Sequence, residues 1–288
     1  MTNGDSDLPG VIGPRSVAET GARKEIILVA EDDAVNQKVI RRQLERLGYA
    51  CEIASNGVEA LNLWRRGHYT LLLSDLQMPE MDGYTLTREI RAAETPGHRL
   101  PIIALTANSR PGEALRAEEA GMNGYLTKPI SLAMLGEALK EWMHRGSDES
   151  AAALVQKAPA PQPEAHSTAL DVKMLESLVG DDPVVVRAFL REYRSVAEGH
   201  ARDLHAAHYR RDYEDMERIT HKLKSASQSV GARPLGECCE RLELAAKAGN
   251  AASVDSCVVA FEGLWQSVFD CLGQILGTPS ENPGPLEV

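Results

Sequence analysis

A chain of 288 residues has room for two ordinary domains, and its 43% hydrophobic content can give each a buried core. With 31 basic against 42 acidic side chains the formal charge is -11 at pH 7, which disfavours attraction to nucleic acid phosphates or an anionic membrane surface. The 5 cysteines form no C-x-x-C pair, so a structural zinc or thioredoxin-like redox site is not expected, and reduced thiols in a cytoplasmic protein are.

Residues 1–24 are rich in Gly, Pro and small polar types and lack the apolar segment of a signal peptide; they read as a flexible leader. Short apolar runs then follow at Ile26–Ala30, Ala50–Ala54, Leu71–Ser74, Ile102–Thr106 and Gly124–Thr127, five candidate strands. The segments between them have helical spacing, as in Val39, Ile40, Leu44, Leu47 and in Leu132, Leu135, Leu139, Trp142. Alternating strands and helices predict a doubly wound α/β domain over 25–145, with a five-stranded parallel sheet covered on both faces.

Residues 146–168 mix Ala, Ser and three prolines, the composition of an extended linker. From 169 to 277 only helical periodicity remains, for example Met216, Ile219, Leu223, Ala226, Val230 and Val258, Phe261, Trp265, Val268, Leu272. Asp182 before Pro183, Gly231 after Val230, and Gly249-Asn250 after Lys247 mark helix ends. The prediction is an all-α antiparallel four-helix bundle preceded by a short helix around Leu175 and Leu178, with a flexible tail at 278–288. No apolar run reaches membrane-spanning length.

Glu31 and Asp32 follow the first predicted strand, Asp75 the third and Lys128 the fifth, and Thr106 ends the fourth. In open α/β sheets that carboxyl edge is where ligands bind. Three carboxylates gathered there call for a cation, and hard oxygen donors favour Mg²⁺. A divalent metal beside a carboxylate suits phosphoryl transfer to that carboxylate, with Lys128 as the opposing cation and the Thr106 hydroxyl as a donor. Taken singly, each acid reads first as a solvated loop residue, and it is the four strand ends together that reverse this reading.

The strings L-V-A-E-D-D-A-V-N-Q, L-L-S-D-L-Q-M-P-E-M-D-G, A-L-T-A and Y-L-T-K-P-I occur in order, and Ile26 to Met143 resembles the receiver domains of bacterial response regulators. The resemblance implies a flavodoxin-like sheet in which Asp75 accepts phosphate, Asp32 ligates the metal, Glu31 holds it through water and the Gln77 carbonyl adds a ligand. It further implies that Lys128 contacts the acyl phosphate, that Gln77 and Asn108 flank the hydrolytic water, and that a switch moves Thr106 and turns Tyr125 inward. Tyr125 as a static packing residue is the alternative. A cis peptide before Pro129 and a capping role for Asp33 are also expected.

Of the 8 histidines, His68, His98, His144 and His166 fall in loops or at helix ends, and His200, His205 and His208 share one helix, where a pair could bind metal adventitiously. His221 lies off the core stripe of its helix, on an exposed face with Lys224, Ser225 and Gln228 at i+3, i+4 and i+7. A neutral imidazole is nucleophilic near neutral pH, and a nearby ammonium attracts phosphoryl oxygens.

The string I-T-H-K-L-K-S-A-S-Q-S-V-G-A resembles the signature of histidine phosphotransfer (HPt) domains. That resemblance implies phosphorylation of His221, electrostatic support from Lys224 and an orienting hydrogen bond from Gln228. Ser225 stands where that family usually has Gly, which implies slower or more selective docking.

The combined reading is a two-component phosphorelay intermediate rather than a dedicated enzyme, without an ATP-binding kinase module. Its expected partners are a sensor histidine kinase and other receiver or HPt domains, not nucleic acid or membrane. A free-standing adaptor is favoured over the C-terminal piece of a hybrid kinase. The alternatives are a metal-dependent phosphatase with Asp75 as nucleophile, and a regulatory docking module without phosphotransfer.

Overall fold

The computed structural model describes residues 25–95, 97–107, 111–144 and 169–277. The expected leader, linker and tail, together with Asn108 and His166, lie outside them. In the first domain the strands β1 (Ile26–Ala30), β2 (Ala50–Ala54), β3 (Leu71–Asp75), β4 (Ile102–Thr106) and β5 (Gly124–Thr127) alternate with helices. These are α1 (Ala34–Arg46), α2 (Gly57–Arg66), α3 (Gly83–Ala93), α4 (Pro111–Glu119) and α5 (Leu132–His144).

All strand pairs are parallel, in the order β2-β1-β3-β4-β5. Every residue of β3 and β4 is buried, as a sheet covered on both faces requires. Side chains alternate along each strand. Leu28, Leu72, Ile102 and Ala104 meet Leu61, Leu86, Ile90 and Ala117 of α2, α3 and α4. Ile27, Val29, Leu73 and Leu105 meet Ile40, Leu44, Leu135 and Leu139 of α1 and α5. The order reverses between β1 and β3, so the loops after these two strands open into one crevice, which carries Glu31, Asp32 and Asp75. Asp75 is itself the last residue of β3 rather than the one following it.

Local chemistry fixes the helix entries that shape this crevice. Asp33 caps α1, accepting from the Asn36 amide at 2.9 Å, and Asp82 caps α3, accepting from Thr85 at 2.7 Å. Gly83 lies against the strand that carries Asp75: a Cβ there would stand 2.2 Å from the Asp75 carbonyl oxygen.

The second domain consists of α6 (Val172–Val179), α7 (Pro183–Tyr209), α8 (Tyr213–Ser229), α9 (Arg233–Lys247) and α10 (Ala251–Leu276). Asp182 accepts from Val184 at 2.9 Å at the start of α7, and Gly231 takes a φ of 85° after α8. The bundle core includes Tyr193, Leu204, Met216, Leu223, Leu242, Phe261 and Leu272, and Tyr193 shares a buried hydrogen bond of 2.9 Å with Ser227. Cys239 is fully buried, which pushes its thiol well above its ordinary range and leaves it an apolar filler.

The two domains are docked, which their sequences taken separately did not lead one to expect. Helix α1 packs against α6, α7 and α8, and its Val35 and Val39 are buried as part of the bundle's apolar core. Val39, which the periodicity assigned to the same stripe as Ile40 and Leu44, therefore faces the other domain. Helix α1 has two apolar faces, one for the sheet and one for the bundle.

Gly83→Ala is expected to displace the backbone that presents Asp75 and to destabilise the first domain by about 1–3 kcal/mol, as overpacking does. Urea unfolding of the variant and the parent chain measures this.

Candidate functional site

The sheet's carboxyl edge brings Glu31, Asp32 and Asp75 together, with carboxylate oxygens all within 4.8 Å of one another. Lys128 reaches between them, 2.6 Å from Glu31 Oε2 and 2.5 Å from Asp75 Oδ2. The peptide bond between Lys128 and Pro129 is cis. Burial and the Asp75 charge push the Glu31 carboxyl upward, while Lys128 pulls it down. Burial opposes the charged form of Lys128, but Asp75 and Glu31 outweigh it and hold the ammonium above its ordinary range. The Gln77 amide donates to Asp75 Oδ1 at 3.0 Å, fixing the orientation of that carboxylate.

Three converging carboxylates are hard oxygen donors of the kind that suit Mg²⁺, and Gln77, two residues from Asp75, could add a carbonyl. The residues present fit such an ion. Thr106 is buried at the end of β4, but its hydroxyl donates to Glu113 Oε2 of α4 at 2.7 Å. Tyr125 is half-buried and packs against the cluster that includes Leu28, Tyr84 and Ala104.

The pocket rim is joined to α8. Lys222 Nζ lies 2.8 Å from Asp32 Oδ2. The Asn36 carboxamide donates to Glu31 Oε1 at 3.1 Å and to Ser225 Oγ at 2.7 Å, and it accepts from Ser229 Oγ at 2.7 Å. Lys38 and Glu192 pair at the interface margin. Lys222, Ser225 and Ser229 thus form the face of α8 that meets the acidic pocket, and His221 precedes Lys222 in the chain.

His221 departs from the open exposure expected of it, since only 15% of its side chain is accessible. Its Nδ1 lies 3.0 Å from Glu243 Oε1 of α9, and Lys224 Nζ lies 2.6 Å from Glu243 Oε2. Lys224 points inward at 1% exposure, so its charge is met by Glu243 rather than by solvent. Burial works against the Glu243 anion, yet the hydrogen bonds and charges of His221 and Lys224 hold its carboxyl at about 2. Gln228 is half-buried with Oε1 lacking a partner, and the contacts that orient His221 come from Glu243 instead.

His205 and His208 each face an acid of α10, Glu262 at 3.8 Å and Asp255 at 2.7 Å. Sequence reasoning missed Glu243, Lys222, Asn36, Ser229 and Glu113. Glu243 lies on a different helix from His221, so no spacing rule could join them. The position of Lys222, beside His221, was the one available signal.

A pocket of acids on a doubly wound sheet, pressed against a helix that carries a histidine, places the molecule in the class of two-component phosphorelay proteins. Residues 27–140 match the family model of the response regulator receiver domain and residues 187–272 that of the Hpt domain, so this chain is a receiver domain followed by an Hpt domain.

Among curated relatives, the hybrid signal transduction protein dokA of Dictyostelium discoideum is 44% identical over 120 residues, 42% of this chain and 7% of that protein. The virulence sensor protein BvgS of Bordetella pertussis is 30% identical over 238 residues, 81% of this chain and 19% of that protein. The chain therefore spans a small part of the length of these relatives. A solved receiver domain of a Pseudomonas aeruginosa sensor histidine kinase, described with a magnesium ion in its active-site cleft, is 44% identical and covers 41% of this chain and 97% of its own, with a TM-score of 0.39. Among the described residues no helix is long and apolar enough to cross a membrane.

Two measurements follow from these charges. Lys222→Ala should free Asp32 and tighten Mg²⁺ binding, by roughly fivefold for an ion pair of about 1 kcal/mol, as read by titration calorimetry. The Glu243 carboxyl sits at about 2 in the folded chain against an ordinary 4.5, so its contribution is complete above the ordinary value and is lost as pH falls through about 2. The loss amounts to about 3 kcal/mol. Denaturation of the helical signal between pH 5 and 2 should show it, and Glu243→Gln should remove that part of the pH dependence.

Proposed function

We propose that the chain works as a phosphorelay intermediate in which Asp75 accepts a phosphoryl group and His221 exchanges one with receiver aspartates, its own included. The proposed working units are residues 25–145 and 169–277, acting in the cytoplasm between a sensor histidine kinase and further receiver or HPt domains. The observation that carries this reading is the contact between the acidic pocket and α8, where Lys222 meets Asp32 one residue from His221.

In the first step an Asp75 carboxylate oxygen attacks phosphorus of a donor phosphohistidine, an O–P bond forms, and the P–N bond breaks. Gln77 N–H orients the carboxylate, and Lys128 balances the charge that arrives. Mg²⁺ held by Glu31, Asp32, Asp75 and the Gln77 carbonyl would neutralise the oxygens of the moving group.

In the second step His221 Nε2 attacks phosphorus, the N–P bond forms, and the Asp75 carboxylate leaves with its electron pair. Glu243 accepting from Nδ1–H selects the tautomer whose lone pair is on Nε2, and its charge offsets the positive ring that results. Thr106 and Tyr125 respond to phosphorylation of Asp75, with Glu113 exchanging its hold on the Thr106 hydroxyl for the phosphoryl group's.

The test is incubation with Mg²⁺ and a small acyl phosphate, followed by acid and base treatment. The parent chain should carry base-labile phosphate on Asp75 and acid-labile, base-stable phosphate on His221. His221→Gln should retain only the first kind, and Asp75→Asn neither. Phosphate that persists in the Asp75→Asn, His221→Gln double variant, or none in the parent chain, refutes the reading.

A further inference from the structure

The Thr106 hydroxyl carries one hydrogen, and in the resting fold it goes to a carboxylate of the next helix. Thr106 Oγ1 donates to Glu113 Oε2 at 2.7 Å, a charge-assisted bond across the β4–α4 connection. The backbone of Thr106 is fixed independently: it pairs with Thr127 in the sheet, and its carbonyl accepts from the Lys128 amide at 2.7 Å. Only the side chain is left to turn. Asp75 lies on the neighbouring strand, paired with Leu105, so Thr106 stands one residue further along the edge where the acids converge.

Glu113 stands in the first turn of α4, where a negative charge also suits the helix N-terminus. Arg116 follows it by three residues on the same face, with its guanidinium 4.7 Å above the ring of Tyr84. Burial and then the nearby Glu113 charge push the Tyr84 phenol upward, which places the carboxylate beside α3 as well as β4. A phosphoryl group on Asp75 would bring negative charge to this edge and oxygens that need donors. One hydroxyl hydrogen cannot serve both acceptors.

We propose that Glu113 is a resting-state latch: by engaging the Thr106 hydroxyl it holds the switch side chain away from Asp75 and sets how readily the phosphorylated form is reached. Glu113 is thus a positioning residue that acts through Thr106 and does not touch the phosphoryl group. Arrival of that group draws the hydroxyl away, frees the carboxylate toward Arg116 and loosens the first turn of α4, so the latch ties pocket occupancy to the shape of this helix. Glu113 lies outside the four strings that mark the pocket, and it can be varied without altering them. The inference rests on the reading of Asp75 as phosphoacceptor and names its regulation.

The experiment uses the full chain with Mg²⁺ and beryllofluoride, which occupies the place of a phosphoryl group on an aspartate and cannot be passed on to His221. Its affinity is read by fluorine NMR titration. Glu113→Ala should tighten binding by about tenfold, and Glu113→Gln, which keeps a neutral acceptor, by about threefold. In a Thr106→Val background Glu113→Ala should change the affinity by less than about twofold, because the hydroxyl through which it acts is gone. Without any ligand, three-bond couplings should report one Thr106 χ1 rotamer in the parent chain and averaging among rotamers in Glu113→Ala.

Unchanged affinity in Glu113→Ala would overturn the latch, as would a Thr106 side chain already averaged in the parent chain. An equal gain with and without the Thr106 hydroxyl would overturn it too, since that result means plain repulsion between like charges. A parent chain that binds no beryllofluoride removes both the latch and the phosphorelay reading. Absence of phosphate on Asp75, with affinities and rotamers as stated, would instead remove the phosphorelay reading alone.

Discussion

Three carboxylates forced to within 4.8 Å of one another set the terms for the rest of the molecule. Two unit charges at such a distance repel by about 3 kcal/mol even at an effective dielectric constant of about 20. The fold gathers them because β1 and β3 are adjacent and parallel, with both carboxyl ends opening into one crevice. Lys128 answers two of the three charges from within the receiver, and Lys222 answers the third from the other domain. Compensation of the pocket's negative charge is therefore shared between domains.

That sharing gives the interface chemical content. The turn of α8 beside His221 lies against the rim of the acidic pocket, and it is tied there by a lysine and two hydroxyls rather than by apolar contact alone. A neighbouring charge of either sign, a divalent ion or a phosphoryl group, alters the interactions of Asp32 and Glu31 and so bears on Lys222 and Asn36.

The second domain solves a different electrostatic problem. Lys224 is buried, and a buried ammonium needs a partner. Glu243 serves it and also the imidazole of His221, so one carboxylate from α9 fixes both. The cost of burying the Lys224 charge is offset by its pairing with Glu243. The inward direction of Lys224 follows from its position beside the apolar stripe of α8, next to Leu223 and Ala226.

Local and periodic features were legible in the order of the amino acids alone. Alternating apolar runs marked the five strands nearly to the residue, Asp33, Asp182 and Gly231 marked helix ends by their own chemistry, and strand ends plus motif order placed Glu31, Asp32, Asp75 and Lys128 on one edge. Each of these depends on residues close in the chain or on a regular repeat. Packing in three dimensions was needed to turn Val39 to the bundle and not the sheet, to give the Thr106 hydroxyl to Glu113, to set Glu243 against His221 and Lys224, and to bring Lys222 to Asp32. Those contacts join side chains with no periodic relation, across helices or domains, and such pairings are settled by how whole elements pack.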